Sequence, residues 1–273
     1  MNILVTLNSG YVNPLCVMLR SLTQNNPRTV FDIYVAHTDL TETDFDAIGK
    51  AVEGSGSRVI SVRVPAELFR DAPILKRTAK ETYYRLFAAA YLPKALDRIL
   101  YIDPDTLILG NLTPLYNVQF GDCFFAGCGH LTSFANFVNV ARLGMHPKSA
   151  YINAGVLMMN LRALRAFFSP EEVFACIRQH PHSLFLADQD VLNALYGERI
   201  LRLDENIYNL DERCFRRLVK RYGKAAAMEF VRQNTCILHY NGKYKPWREA
   251  YKGDLDCFYP VRARQTAVQR YAQ

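Results

Sequence analysis

Four short apolar runs alternate with helix-forming segments over the first hundred residues, and this alternation constrains the fold more than any other feature. The runs are ILVTL (3–7), FDIYVAH (31–37), RVISVRV (58–64) and RILYI (98–102). Each run has the length of a buried strand. Strands separated by helices predict an α/β fold, in which a mostly parallel central sheet has helices on both faces.

The segments between and after these runs carry local helix and strand signals. Pro14 opens the helical stretch PLCVMLRSLTQN, and Thr41 followed by Asp44 predicts a capped helix. A helix is also predicted around ETYYRLFAAAYL, ending before Pro93. Further strands are predicted at 123–127, 153–159 and 235–238, and further helices at 133–143, 170–179 and 188–196.

Length and composition are those of a globular protein. The chain has 273 residues, 50% of them hydrophobic, and its apolar runs are too short to span a bilayer. The N-terminal MNILVTLNSGY carries no basic leader, and the seven cysteines form no C-x-x-C pair. We therefore expect free thiols and a cytoplasmic location, with peripheral attachment at the inner face of the membrane left open.

Positive charge is concentrated near the C-terminus. Between Arg213 and Lys252 there are eleven Lys or Arg residues and two acidic ones, a net charge of +9 (eleven minus two) in a chain of +7. This balance predicts an anionic partner, but no nucleic-acid-binding motif accompanies it, so nucleic acid is not expected. The segment 211–224 is predicted to form one helix, lying either on an anionic membrane or against the protein core. Its basic face holds Arg213, Arg217, Lys220 and Lys224, and its apolar face holds Phe215, Leu218 and Tyr222.

Two carboxylates follow the fourth run directly. Asp103 and Asp105 are separated only by Pro104, at what is predicted to be the carboxyl end of a strand, where ligands bind in open α/β sheets. Two close carboxylates repel each other unless a cation lies between them, and a divalent metal removes that repulsion. An ordinary proline turn accounts for the same tetrapeptide, D-P-D-T, equally well.

A second polar cluster, HYNGKYKPW (239–247), follows the short apolar run TCIL. Its Gly242 permits close approach of the backbone to a ligand, and Lys243 and Lys245 lie nearby. His239 beside two lysines suits a site that binds a metal and a phosphate together. An imidazole added to two carboxylates favours Mn²⁺ over Mg²⁺ or Ca²⁺.

These motifs, in this order, resemble the family 8 retaining glycosyltransferases, which include bacterial lipopolysaccharide galactosyl- and glucosyltransferases and glycogenin. The resemblance covers residues 1 to about 250. It implies a GT-A fold, Rossmann-like, over 1–250, with a nucleotide-binding half at about 1–110, a donor and acceptor half at about 111–250, and a basic extension at 251–273. Its motifs are the N-terminal strand leading to Tyr11, YYRL (83–86), YIDPD (101–105), NAGVLMMNL (153–161), ADQDVLN (187–193) and HYNGKYKPW (239–247).

The resemblance also implies roles for individual residues. Asp103, Asp105 and His239 are implied ligands of Mn²⁺, Gly242 and Lys245 contact the diphosphate of a UDP-sugar, and Tyr11 stacks on uracil. Gln189 and Asp188 are the implied catalytic residues, with Gln189 on the far face of the donor sugar. The implied donor-binding set is Thr6, Asn8, Tyr11, Arg85, Asp103, Pro104, Asp105, Asn153, Ala154, Asp188, Gln189, His239, Gly242 and Lys245.

Two of these residues also suit purely structural roles, and two positions depart from the family pattern. Asp188 is a typical N-cap residue at the start of a predicted helix, and Asn153 could belong to a simple turn before a buried strand. Asn8 and His130 occupy positions where relatives commonly have Asp. The change at Asn8 bears on binding of the donor nucleotide, and the change at His130 bears on binding of the acceptor.

The resulting hypothesis is a Mn²⁺-dependent retaining hexosyltransferase that moves glucose or galactose from a UDP-sugar to a glycan or glycolipid. One alternative is a nucleotide-sugar-binding protein without turnover. Another is a phosphatase of the haloacid dehalogenase type, because a strand followed by D-x-D resembles its nucleophile motif. There, however, Thr normally comes two residues after the second Asp, whereas Thr106 follows Asp105 immediately.

Overall fold

A computed structural model describes residues 1–70, 81–129, 133–149, 151–180 and 183–260, so His130 lies outside the described residues. The strands are β1 Asn2–Thr6, β2 Asp32–His37, β3 Arg58–Arg63, β4 Arg98–Ile102, β5 Thr106–Ile108, β6 Phe125–Cys128, β7 Val156–Asn160, β8 Ile200–Leu203 and β9 Ile237–His239. The α-helices are α1 Val12–Asn25, α2 Glu42–Ala51, α3 Glu81–Tyr84, α4 Ala88–Tyr91, α5 Thr113–Tyr116, α6 Ser133–Arg142, α7 Leu161–Phe167, α8 Pro170–Gln179, α9 Ala187–Tyr196, α10 Glu205–Tyr208, α11 Glu212–Tyr222 and α12 Lys224–Asn234. Short 3₁₀ turns occupy Ser9–Tyr11, Ala66–Phe69, Arg85–Phe87, Gly197–Arg199 and Asp254–Phe258.

Seven strands form the central sheet, in the order β3-β2-β1-β4-β7-β6-β8. The first four strands of the chain are mutually parallel, as is the β6–β8 pair, whereas β7 runs antiparallel to both of its neighbours. The mostly parallel sheet is therefore confirmed. A separate antiparallel pair, β5 and β9, lies beside it, with Thr106 opposite His239.

Alternate residues of the strands enter two different cores, one on each face of the sheet. In β1, Leu4 joins one core, whereas Ile3 and Val5 join the other. Helices α8 and α9 supply Val173 and Leu192 to the first face, and α1 and α2 cover the second. This two-residue periodicity is what a sheet buried on both faces requires, and it agrees with the predicted helices on both faces.

The predicted elements and the observed ones differ at specific places. The first four strands lie within one residue of their predicted bounds, but β5 and β8 were not predicted. The strand predicted at 153–159 begins only at Val156, because residues 153–155 form a turn that enters the site. Thr41 caps α2 as predicted, forming a reciprocal capping box with Asp44.

The single basic helix predicted over 211–224 is wrong in extent. It ends at Gly223, whose φ of 84° breaks the helix, and Lys224 begins α12 instead. Phe215 and Leu218 of α11 are buried in a core with Trp247, Leu255 and Tyr259, so these two residues pack against protein, whereas Tyr222 of the predicted apolar face is 53% exposed. This helix therefore does not support the predicted peripheral contact with a membrane.

All seven cysteines lie within the described residues, and none forms a disulfide. Among the described helices, none is both long and apolar enough to cross a bilayer.

Candidate metal and donor site

Strand pairing brings the two predicted polar clusters together. The turn between β4 and β5 carries Asp103 and Asp105, and the pairing of β5 with β9 places His239 opposite Thr106. Backbone bonds close the arrangement: the Asp103 N–H donates to the Gly155 carbonyl (2.8 Å), and the Tyr240 N–H donates to the Asp105 carbonyl (3.0 Å). The D-P-D-T turn does form, so the turn and the cluster of carboxylates are the same feature.

Asp103, Asp105 and His239 lie close enough together to hold one metal ion. One potential ligand atom from each residue lies within 4.8 Å of the other two. His239 Nε2 is 3.2 Å from Asp105 Oδ1 and 3.7 Å from Asp103 Oδ2. Two carboxylate oxygens and one imidazole nitrogen form a mixed oxygen and nitrogen donor set, which a divalent transition metal such as Mn²⁺ accepts.

Asp105 is held ionised by the side chains around it. Burial alone would raise the pKa of its carboxyl, but His239 and Lys245 outweigh burial and hold that pKa well below its usual range. Lys245 Nζ donates to Asp105 Oδ2 at 2.6 Å and to the Tyr240 carbonyl at 2.8 Å. An ionised carboxylate is the form that binds a metal, so Asp105 is ready for that role.

Gly155 provides the space that this cluster occupies. A Cβ at this position would lie 2.2 Å from His239 Cε1 and 2.7 Å from Asp103 Oδ2. Any side chain there would therefore push the imidazole and the carboxylate out of the cluster. The backbone at Gly155 thus forms the wall against which two of the three ligands pack.

Arg85 connects the cluster of Asp103, Asp105 and His239 to the start of α9. It is 8% exposed, and its guanidinium lies 3.1 Å from Asp103 Oδ1 and 3.0 Å from Asp188 Oδ2. It also donates to the Ala154 carbonyl at 2.7 Å. Burial raises the pKa of the Asp188 carboxyl to about 6, although Arg85 opposes that shift. Tyr101 donates to Asp103 Oδ1 and lies under Arg85, so the orientation of Asp103 is fixed from two sides.

Asp188 is not the N-cap of its helix. Leu186 occupies the cap position of α9, and Ala187 adopts a positive φ of 41° just before Asp188. A left-handed conformation is costly for a non-glycine residue and is typical of functional turns. The purely structural role as an N-cap is therefore wrong, and Asp188 faces Arg85 instead.

Gln189 is held rigidly by both ends of its amide. Its Oε1 accepts from Asn153 Nδ2 (2.9 Å) and from the Ala154 N–H (3.2 Å). Its Nε2 donates to the Tyr151 hydroxyl (3.0 Å), which donates to Asp190 Oδ1 (2.5 Å). The amide is therefore preorganised, and both lone pairs of its oxygen are engaged.

Two adjoining cavities contain most of the predicted site residues. One, of about 450 Å³, is lined by predicted residues from five of the six motifs: Arg85, Asp103, Asp105, Asn153, Ala154, Asp188, Gln189 and His239. The other, of about 280 Å³, shares Arg85, Asp103 and Asp105 with the first and adds Thr6, Asn8, Tyr11 and Pro104. The cluster thus lies at the junction of a space lined by the N-terminal strand and a space lined by α9.

The remaining predicted residues border these cavities. Tyr11 packs edge-on against Trp247, with ring centroids 6.0 Å apart. Asn8 Oδ1 accepts from the Gly10 N–H at 3.1 Å, so the amide also caps the turn that carries Tyr11. Thr6 Oγ1 lies 3.1 Å from the hydroxyl of Tyr101, the residue that donates to Asp103. Gly242 lines a neighbouring cavity together with His239.

Several residues of the site were missed by sequence reasoning. Asn209 contacts His239, Tyr151 contacts Gln189, and Arg142 pairs with the fully buried Asp190 at 2.8 Å. Asp190 and Asn193 lie inside the recognised motif ADQDVLN, which was a usable signal. Asn209 and Arg142 belong to none of the recognised motifs, so only the tertiary contacts identify them.

The family assignment agrees with this geometry. A sequence profile described as Glycosyl transferase family 8 matches residues 2–250. The chain belongs to glycosyltransferase family 8. This confirms the resemblance derived from the motifs.

Curated relatives of this family 8 glycosyltransferase include enzymes of bacterial surface glycans. A lipopolysaccharide 1,2-glucosyltransferase of Escherichia coli K12 is 24% identical over 91% of this chain and 73% of its own length. A lipopolysaccharide 1,3-galactosyltransferase of Salmonella typhimurium is 24% identical over 90% of this chain and 72% of its own length. The chain spans a smaller share, 57%, of the glycosyltransferase GlyF of Streptococcus pneumoniae, which is 23% identical.

The fold of this family 8 glycosyltransferase is shared with a solved structure. The galactosyltransferase LgtC, solved in complex with donor and acceptor sugar analogues, superposes with a TM-score of 0.79 at 24% identity. The match covers 98% of this chain and 96% of LgtC. The predicted GT-A fold is therefore confirmed.

Proposed function

We propose that this protein is a retaining hexosyltransferase that uses Mn²⁺ and a UDP-sugar donor and transfers glucose or galactose to a glycan or glycolipid. The observation that carries the proposal is the convergence of Asp103, Asp105 and His239, distant in sequence, with one ligand atom from each within 4.8 Å of the others. A phosphatase of the haloacid dehalogenase type is not supported, because the family and fold are those of glycosyltransferases.

Asp103, Asp105 and His239 would hold Mn²⁺, and the ion would supply positive charge to stabilise the negative charge that grows on the diphosphate as the anomeric C–O bond breaks. Lys245 lies 2.6 Å from Asp105, so its ammonium can turn from that carboxylate towards a phosphate oxygen. Arg85 keeps Asp103 and Asp188 in place from a buried position. Uracil occupies the smaller cavity, where Tyr11 offers a ring for stacking and Asn8 an amide.

Gln189 positions the donor sugar and does not attack it. Its Oε1 already accepts two hydrogen bonds, from Asn153 and from the Ala154 N–H, so no lone pair is free for a nucleophile. The acceptor hydroxyl then approaches from the face that UDP leaves. Its oxygen bonds to the anomeric carbon as the bond to UDP breaks, and its proton passes to the departing phosphate oxygen. Configuration at the anomeric carbon is retained.

A thermal-shift screen of UDP-, GDP- and ADP-sugars, each with and without Mn²⁺, tests the donor. A ligand at one hundred times its Kd stabilises the native state by about 2.7 kcal/mol. For a chain of this size we expect UDP-glucose or UDP-galactose with Mn²⁺ to raise Tm by about 5–10 °C. A shift of equal size without metal, or with GDP- or ADP-sugars only, would contradict the proposal.

Donor hydrolysis distinguishes an enzyme from a binding protein without turnover. An active transferase slowly releases UDP from its donor in the presence of Mn²⁺ even without acceptor, because water substitutes for the acceptor hydroxyl. Continued binding of UDP-sugar with no release of UDP, across a panel of glycan and glycolipid acceptors, would favour the binding protein.

Gly242 provides a test of contact between the backbone and the diphosphate. In this structure a Cβ at Gly242 meets only the Tyr244 carbonyl, at 3.9 Å, so Gly242→Ala should leave Tm unchanged. If the diphosphate approaches this backbone, the added methyl group weakens UDP binding, and we expect a loss of about tenfold or more in calorimetry, equivalent to about 1.4 kcal/mol. Gly49→Ala on α2, where a Cβ meets nothing within 4 Å, is the matched control and should keep full affinity. Unchanged affinity in Gly242→Ala would remove this residue from the donor site.

A further inference from the structure

A continuous chain of hydrogen bonds joins His239 to the backbone of the turn before β7. His239 Nδ1 lies 2.8 Å from Asn209 Oδ1, Asn209 Nδ2 lies 3.0 Å from Asn153 Oδ1, and the Gly155 N–H lies 3.0 Å from Asn153 Oδ1. Asn209 is fully buried and His239 is 2% exposed, so solvent does not compete for the bond between these two residues. Which group donates and which accepts in each of these hydrogen bonds can therefore be derived, starting from the backbone N–H of Gly155.

The backbone N–H of Gly155 fixes the orientation of Asn153. A backbone N–H can only donate, so the Asn153 atom facing it must be the carbonyl oxygen. The other end of the Asn153 amide is then the NH₂ group, which donates to Gln189 Oε1 at 2.9 Å. The Ala154 N–H donates to the same oxygen and fixes Gln189 independently. Both amides are thus oriented by groups that cannot reverse.

The orientation of Asn153 in turn fixes Asn209 and His239. Asn153 Oδ1 can only accept, so the Asn209 atom facing it is the NH₂ group, and Asn209 Oδ1 faces the imidazole. That oxygen can only accept, so His239 Nδ1 carries a proton. Nε2 is then the ring nitrogen that faces Asp103 and Asp105.

We propose that Asn209 is a positioning residue that keeps the Nδ1 proton on His239 and so presents Nε2 to the metal. Backbone bonds of the next residue hold Asn209 beside β9: the Leu210 N–H donates to the Ile237 carbonyl, and the His239 N–H donates to the Leu210 carbonyl. The metal-binding part of this inference rests on the proposed function, whereas the position of the proton does not. This series of hydrogen bonds also links His239 to Gln189, because Asn153 contacts both Asn209 and Gln189.

Three variants of the full chain test this role. Asn209→Ala removes the acceptor for the Nδ1 proton, and Asn209→Asp keeps an acceptor there while losing the donor to Asn153. Asn26→Ala is the matched control, because Asn26 is also a buried amide that forms several hydrogen bonds, in its case with the backbone of Leu22, Gly110 and Leu112, on the α1 side of the fold.

The first readout needs no metal. In protein labelled with ¹⁵N-histidine, we expect a proton resonance on the Nδ1 of His239, assigned by its absence in His239→Gln. It should persist in Asn209→Asp and Asn26→Ala and disappear in Asn209→Ala, where the proton exchanges with solvent. A wild-type Nδ1 without a proton, or a resonance unaffected in Asn209→Ala, would overturn the inference.

The second readout is Mn²⁺ affinity, measured from the electron paramagnetic resonance signal of free Mn²⁺ in the presence of UDP. We expect Asn209→Ala to bind Mn²⁺ about 10–100-fold more weakly, as is usual when the partner of a metal-bound histidine is lost. Asn209→Asp and Asn26→Ala should stay near wild type. A residue that only stabilises the fold would lower Tm in Asn209→Ala but leave Mn²⁺ affinity unchanged, which would overturn the proposal.

The two proposals fail in different ways. A wild-type protein that binds no Mn²⁺ with UDP would refute the proposed metal-dependent function, whereas the Nδ1 resonance would still report on Asn209. A wild type that binds Mn²⁺ no more tightly than Asn209→Ala does would refute only the role of Asn209. Equal weakening in Asn209→Asp and Asn209→Ala would show that the acceptor oxygen is not the important group.

Discussion

Replacing both aspartates of the turn, Asp103→Asn with Asp105→Asn, is expected to abolish the Mn²⁺-dependent rise in Tm with UDP-sugar and to lower glycosyl transfer at least about 1000-fold. Two of the three proposed ligands lose their charge, while the imidazole of His239 remains. Metal-derived stabilisation of a leaving group amounts to several kcal/mol. A loss of about 4 kcal/mol corresponds to about three orders of magnitude in rate.

The control removes the same charge elsewhere. Asp32→Asn with Asp97→Asn breaks two bidentate pairs at the surface, with Arg58 and Arg162, and also changes the net charge by two. We expect this variant to keep its thermal shift and its transfer rate, measured as UDP release with acceptor present. Retention of a metal-dependent shift in Asp103→Asn with Asp105→Asn, in protein that circular dichroism shows to be folded, would place the metal elsewhere.

Arg85→Met should lower the free energy of unfolding by about 3–5 kcal/mol, measured by urea denaturation of the metal-free protein. The reason is that Arg85 neutralises Asp103 and Asp188 from a side chain that is only 9% exposed. Removing one partner of a buried ion pair leaves a charge without compensation in a poorly solvated place, which is the costly change. The methionine keeps most of the apolar contact, so lost packing contributes little.

Two further variants separate charge from other causes. Arg162→Met breaks an exposed pair with Asp97 and should leave the free energy of unfolding nearly unchanged. Adding Asp188→Asn to Arg85→Met should recover part of the lost stability, because one of the two uncompensated carboxylates is then neutral. No recovery in this double variant would mean that Arg85 stabilises the fold by means other than its charge.

The frame of the site could be predicted from local patterns. The runs that became β1 to β4 have the length and apolar content of strands and alternate with helical segments, and the family motifs named Asp103, Asp105 and His239 as partners. Strand β5 could not be predicted, because its three residues, TLI, are too short to show a period. Yet β5 and its pairing with β9 bring His239 to the aspartates, so the strand that was hardest to predict brings the three candidate metal ligands together.

The break at Gly223 and the role of Asn209 show a second limit. The helical pattern continues through 211–224, and a glycine within such a pattern can either be tolerated or end the helix. In the structure, Gly223 has a φ of 84°, so the helix ends there. Asn209 lies in no motif, and the role argued for it depends on the direction of hydrogen bonds that begin at the Gly155 N–H, more than fifty residues earlier in the chain. No local pattern contains that information.

By itself, the sequence determined the α/β class, the first four strands and the residue types of a candidate metal and phosphate site, because these follow from periodicity and from side-chain chemistry. Only the tertiary structure decided which nitrogen of His239 faces the carboxylates, how Arg85 shares its charge between Asp103 and Asp188, and why position 155 has no side chain. Those properties depend on distances between residues far apart in the chain, and packing, not sequence spacing, sets such distances.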